Sequence, residues 1–164
     1  MDPAVKKQIF IALKKAQKEL DNIYLLLDKE KSLNSSKRKV VFYFDGVIQG
    51  GGSQRKSTYA ITDVNGNLIQ SDSKYGEFDW QIESEALGFL KTMQLIVSMN
   101  EGQHFIIMSD AETVIKSFKK GNMGGKSKAP IMFNQAISLM HENNLDLEIK
   151  YVESKFNLAD KYTR

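Results

Sequence analysis

The period of the apolar positions changes along this chain, and each change predicts an element. Ile9, Leu13, Ala16, Leu20, Ile23 and Leu27 are spaced 4, 3, 4, 3, 4. That spacing holds them on one narrow stripe, so residues 3–31 read as one long helix whose stripe is a heptad seam of about three repeats. Lys6, Lys7, Lys14, Lys15 and Lys18 occupy the other face. Such a seam needs cover. It can pack on the body of the protein or pair with a second copy, and the lysine face can grip nucleic acid. Residues 32–37, SLNSSK, are polar and read as a linker.

Residues 39–46, KVVFYFDG, then form an apolar and aromatic run that stops on a carboxylate and a glycine. Residues 40–44 have no breaker and predict a central strand buried on both faces. Residues 49–54, QGGGSQ, are a glycine-rich turn. They lack the spacing and the Lys-Ser/Thr ending of a phosphate-binding P-loop. The bare backbones of Gly50 and Gly51 allow close approach of a substrate. Residues 57–63 and 68–75, joined by Asn65-Gly66-Asn67, predict a hairpin, so the first three strands are an antiparallel meander.

Residues 77–100 switch to helical period through Ile82, Ala86, Phe89, Met93 and Val97. Glu85 lies on the inward side, with Gly88 where a bulky residue would crowd the sheet. Glu83 lies roughly 200° from Glu85 around the helix, so only one of the two can face a given site. Residues 103–110 form a second buried strand ending in Asp110. Helices follow at 111–120 and 129–144, a strand at 145–152, and a short final helix carrying Asp160 within 157–164.

Composition narrows the chemistry. With 164 residues, 41% hydrophobic and 26% charged, the chain suits one globular body, 37–164, with an appended helix and linker, 1–36. There is no cysteine, and His104 and His141 are the two histidines, so a metal would be held by oxygen ligands, which favours Mg²⁺ or Mn²⁺. No apolar run approaches the roughly 18 residues of a membrane span and no signal peptide is evident, so the expected setting is cytoplasmic, without a membrane partner. The net charge of +3 is uneven. Residues 1–40 carry ten basic against five acidic side chains, and the remainder thirteen against fifteen. A basic flank beside an acidic pocket suits a metal-using enzyme acting on a polyanion.

Four acids stand against apolar elements: Asp45, Glu85, Asp110 and Asp160. Taken singly, Asp45 reads as a turn residue before Gly46, and Asp110 as a helix N-cap. Brought together, four carboxylates repel one another, and divalent cations relieve that repulsion. Two such ions about 3.5–4 Å apart can activate a water and steady a leaving 3′-oxygen at a phosphodiester. Lys116, Lys119, Lys120, Lys126 and Lys128 surround the loop GNMGGKSK, either as a solvated face or as phosphate contacts.

The order β-β-β-α-β-α-α-β-α, with FYFDG around Asp45, WQIESEALGFL around Glu85, IIMSDAETVI around Asp110 and KYVESKFNLADKYTR around Asp160, resembles the ribonuclease H family over residues 38–164. The closing stretch looks most like retroelement-type members. The resemblance implies an α/β fold: a five-stranded mixed sheet, three strands antiparallel and two parallel, flanked by helices, with the N-terminal helix added. It implies that Asp45, Glu85, Asp110 and Asp160 form the catalytic and metal-binding tetrad for two Mg²⁺ or Mn²⁺ ions. The implied reaction is endonucleolytic hydrolysis of the RNA strand of an RNA–DNA hybrid, leaving 5′-phosphate products. Gly50, Gly51, Gln81, Lys126 and Lys128 would contact substrate.

Departures from the family pattern are specific. IQGGGSQ stands where an Asn-Pro-Gly element is usual, and Gln81 where an asparagine is usual. The loop ESKFN has no histidine, so proton transfer would fall to water, Glu153 or Lys155. Two other readings keep the fold: a catalytically degenerate nucleic-acid-binding protein, and a nuclease acting on DNA structures.

Overall fold

Strand β1, Lys39–Gln49, is the axis of the body. In the computed structural model, which describes residues 3–99 and 102–164, it is the middle strand of a five-stranded sheet of order β3-β2-β1-β4-β5. Strands β2 (Lys56–Asp63) and β3 (Leu68–Tyr75) join it antiparallel. Strands β4 (His104–Ser109) and β5 (Asp146–Tyr151) extend it in parallel. The mixed sheet is as expected, but two details of β1 differ. Only alternate residues Phe42, Phe44 and Gly46 are buried, whereas Val41, Tyr43 and Asp45 are half-buried. The strand also does not stop at Asp45. It runs on to Gln49 because β2 pairs Asp45 with Ala60, Gly46 with Tyr59 and Val47 with Thr58.

Glycine is required at Gly46 because α2 (Gln81–Met99) crosses the strand there. A Cβ on Gly46 would stand 2.3 Å from the Ser84 carbonyl oxygen. The crowding expected at Gly88 is also present, since a Cβ there would meet Phe44 at 3.0 Å and the Asp45 carbonyl oxygen at 3.1 Å. Two glycines thus let helix and strand backbones touch beside the acids. Phe89 stacks on Phe133 of α4 (Ala129–Glu142) and tilts against Phe44, centroids 5.7 and 6.0 Å apart, joining both helices to one face of the sheet. Helix α3 (Glu112–Lys120) ends on Gly121 at φ 84°, the left-handed conformation that terminates helices. The asparagine-glycine hairpin forms as expected, with Asp63 accepting the N–H groups of Asn65 and Asn67.

The chain divides into two units after Lys37. The first is helix α1, Pro3–Ser36. It absorbs residues 32–36, expected as a linker, because that stretch contains neither glycine nor proline to stop it. Its seam residues Ile9, Leu13, Leu20 and Ile23 are 46–63% exposed. The side chain of Leu27 lies outside the described residues, as does Asn100, expected at the end of α2. Among the described residues no helix is long and apolar enough to cross a membrane.

Candidate active site

Parallel pairing brings the first two acids together. β1 and β4 match Tyr43 with Met108, so Asp45 and Asp110, each two residues further on, lie side by side at the same end of the sheet. Asp110 does not cap α3. That position belongs to Ala111, which leaves the carboxylate turned to the site. Glu85, in the second turn of α2, approaches over the Gly46 crossing. Asp160 enters from the closing segment, on a 3₁₀ turn (Asp160–Tyr162) rather than a full helix.

The four acids feel one another. Burial pushes the Glu85 carboxyl up to about 7, a hydrogen bond from Gln81 opposes the shift, and the charges of Asp110 and Asp45 add to it. Burial also raises Asp45. A hydrogen bond from Thr163 and the Gly46 N–H restrain that rise, while Asp110 and Asp160 drive it further. Among the described residues no three such groups already stand at coordination spacing. Asp45, Glu85, Asp110 and Asp160 are the oxygen donors here that could hold a divalent cation.

The closing segment holds the acids by their oxygens. Asn157 is buried, donating its amide to Asp110 Oδ1 at 2.8 Å and to the Phe44 carbonyl at 3.0 Å. Ser154 donates to Asp110 Oδ2, and Thr163 to Asp45 Oδ2. Arg164 pairs with Asp160 at 2.7 Å. The sequence reading draws Asp160, Glu153 and Lys155 from this stretch and passes over Ser154, Asn157 and Thr163. The available signal was that three hydrogen-bonding side chains flank an acid within ten residues.

The remaining expected site residues are placed variously. Gln81 accepts the Ile48 N–H at 3.0 Å, donates to Gly46 O at 2.6 Å and reaches Glu85 at 3.3 Å, so it staples α2 to β1 beside the acids. Gly50, at φ 78°, and Gly51 lie exposed in the loop after β1. Lys126 is exposed on the wall of a cleft of about 500 Å³ that also includes Trp80, Ile82, Thr113 and Met123. Lys128 is engaged elsewhere, its ammonium donating to Glu77 O at 2.7 Å and lying 5.8 Å from the Phe78 ring centre. Glu153 and Lys155 are exposed and pair with each other at 2.8 Å, while Ser154 between them faces Asp110. Glu83 and Glu85 diverge as their phase requires. Glu83 is 3% exposed and holds backbone N–H groups instead of facing the acids.

An α/β sheet of this order, with acids on β1, α2, the end of β4 and the closing segment, has the ribonuclease H fold. Solved structures bear this out. The chain superposes on LC11-RNase H1, isolated from compost by a metagenomic approach, with a TM-score of 0.60 at 16% identity over 76% of this chain and 91% of that one. RNase H1 from the halophilic archaeon Halobacterium salinarum NRC-1 gives 0.57 at 13% identity over 76% and 93%. A foamy viral protease-reverse transcriptase in complex with RNA/DNA hybrid gives 0.57 at 13% identity, matching 76% of this chain to 19% of that one. No protein-family model matches the chain, and no curated protein does.

Proposed function

We propose that this protein is a metal-dependent endonuclease that hydrolyses the RNA strand of RNA–DNA hybrids, with Asp45, Glu85, Asp110 and Asp160 holding two Mg²⁺ or Mn²⁺ ions. The observation that carries the reading is electrostatic. Burial and mutual repulsion leave Glu85 and Asp45 short of a counter-charge in the one place where β1, α2, β4 and the closing segment meet. Structural acids without a cation would be selected against, because each repels the others at a cost in stability. Divalent ions bound there supply activation of a water and stabilisation of charge on the leaving 3′-oxygen. The chain's own part is to orient that set. Asn157, Ser154 and Thr163 fix carboxylate oxygens, Gln81 holds Glu85, and the packed glycines Gly46 and Gly88 fix the distance between α2 and β1.

A crystal structure of LC11-RNase H1 contains an RNA/DNA hybrid, and that protein shares the fold at 17% identity. This supports a hybrid as the substrate. Recognition would rest on 2′-hydroxyl contacts and groove shape, near Gly50, Gly51 and Gln81 on one side and Lys126 on the other. With the loop histidine absent and Glu153 paired to Lys155, the proton leaves to water or through that exposed pair. The test is incubation with matched RNA–DNA, RNA–RNA and DNA–DNA duplexes, with Mn²⁺, Mg²⁺ or chelator. Cleavage confined to the RNA of the hybrid, and lost with chelator, is expected. Equal cleavage of a DNA duplex would reassign the substrate, and binding without cleavage would leave a nucleic-acid-binding protein.

We propose further that α1 pairs with a second copy of itself. Its seam follows the coiled-coil period, and the positions flanking it hold Phe10, Ala12, Gln17, Glu19, Tyr24 and Leu26. No lysine lies there to repel an identical partner.

A further inference from the structure

The side chains Asn157 and Thr163 are buried and polar, and neither carries charge into the chemistry described above. Each hydroxyl or amide taken from water must be matched by a partner inside. What distinguishes these two is the partner each has. Thr163, 2% exposed, donates its hydroxyl to Asp45 Oδ2, and its Oγ1 also lies 3.0 Å from the Asp160 main-chain carbonyl oxygen. Asn157, 5% exposed, spans the Phe44 carbonyl and Asp110 Oδ1, while its own oxygen accepts the Ala159 N–H at 3.2 Å. One short segment therefore reaches an acid on β1, an acid after β4 and the main chain around Asp160.

The segment is anchored apart from any cation. Tyr162 donates its hydroxyl to Gly66 O at 3.0 Å, on the turn between β2 and β3. Thr163 caps the 3₁₀ turn that begins at Asp160, so one turn delivers both the fourth acid and the hydroxyl that holds the first. Oδ2 of Asp45 is held by Thr163, and the same carboxylate accepts the Gly46 N–H. Without that hydroxyl the carboxylate could rotate to spread its charge away from Asp110 and Asp160.

Resting on the function proposed above, we infer that Thr163 and Asn157 are positioning residues. They hold Asp45 and Asp110 in the orientation that receives divalent cations, so the closing segment assembles the site as well as contributing Asp160. Groups of this kind, hydrogen-bonded to metal-ligating side chains, are worth roughly 10–100-fold in metal affinity.

The experiment titrates Mn²⁺ into the full chain, without nucleic acid, by calorimetry or by loss of the free-ion paramagnetic signal, and records metal-free melting in parallel. Thr163→Val keeps the shape and removes the hydroxyl, and should weaken Mn²⁺ binding roughly 10–100-fold while still unfolding cooperatively. Thr163→Ser should restore wild-type affinity. If Thr163→Val does not fold, Thr163→Ala takes its place with the same expectation. Wild-type affinity in the variant lacking the hydroxyl would overturn the assignment. So would equal weakening in Thr163→Ser, which would place the effect in packing of the methyl group. Because the readout is Mn²⁺ binding, it stands apart from hybrid cleavage. A wild-type protein that binds Mn²⁺ but cuts no hybrid refutes the substrate reading and leaves this one intact.

Discussion

Glu83 and Lys128 are joined through the backbone: Glu83 Oε1 accepts the Lys128 N–H at 2.8 Å, across the gap between α2 and the start of α4. Its other oxygen takes the Asp79 and Trp80 N–H groups at 2.7 and 3.0 Å. One buried carboxylate thereby caps the helix that carries Glu85 and fastens the basic loop beside it. Burial alone would raise Glu83, yet the N–H bonds from Lys128, Asp79 and Trp80 outweigh it and hold the carboxyl below its ordinary range.

Sequence phase places Glu83 away from the site that Glu85 faces, and the structure adds a part in stability that phase alone does not show. Glu83→Gln puts an amide donor against backbone donors and should destabilise the protein by about 2–3 kcal/mol, the worth of a hydrogen bond to a buried charge. Chemical denaturation measures it. The turnover of the protein that remains folded should stay near normal, because Glu83 does not face the acids.

Asp45→Asn and Asp110→Asn should abolish cleavage of a hybrid while leaving the fold intact. Each removes one charge from a self-repelling set, so melting without metal should be unchanged or higher. Single-turnover assays and calorimetry on the same preparations check both halves. Near-normal hydrolysis by Asp110→Asn would defeat the two-cation reading.

The pH dependence of metal-free stability follows from the same acids. Glu85 stands at about 7 against an ordinary 4.5, and Asp45 is shifted upward too. The fold favours their protonated forms, so this contribution is complete below the ordinary carboxylate range and is lost as pH rises through about 7. Melting temperature in chelator should therefore fall between about pH 5 and pH 8. Saturating Mg²⁺ should flatten or reverse that slope. A metal-free profile that is level across this window would show that the carboxylates are not coupled.

Lys126 and Lys128 should separate in function. Lys126→Ala should weaken hybrid binding and lower the salt slope by about 1, as expected for one lost phosphate contact. Lys128→Ala instead releases the Glu77 carbonyl and should act mainly on thermal stability. Fluorescence anisotropy across a salt series, together with melting curves, distinguishes them.

Deleting residues 1–36 should convert a sedimenting dimer into a monomer, and Leu20→Lys should do the same by placing a charge in the seam. The chemical step at saturating hybrid should stay near normal, since none of the four acids lies in that segment. An oligomeric state unchanged by both alterations would remove the self-pairing proposal.

Much of the body could be read from period alone. The Asn65-Gly66 turn between residues 57–63 and 68–75, the helical spacing from Ile82 to Val97, and acids at the ends of apolar runs are local signals, and local signals survive in a linear chain. They were enough to single out Asp45, Glu85, Asp110 and Asp160 and the order of the elements, while the mixed sheet was implied by the family resemblance and its strand order came from the structure. Tertiary structure decided what depends on neighbours distant in sequence. It extended β1 past Asp45, because β2 supplies hydrogen-bonding partners there. It turned Glu83 into a clamp, because Lys128 lies forty-five residues away in sequence and in contact in space. It gave Thr163 its task, because a hydroxyl is silent in a sequence until the fold shows which carboxylate it meets.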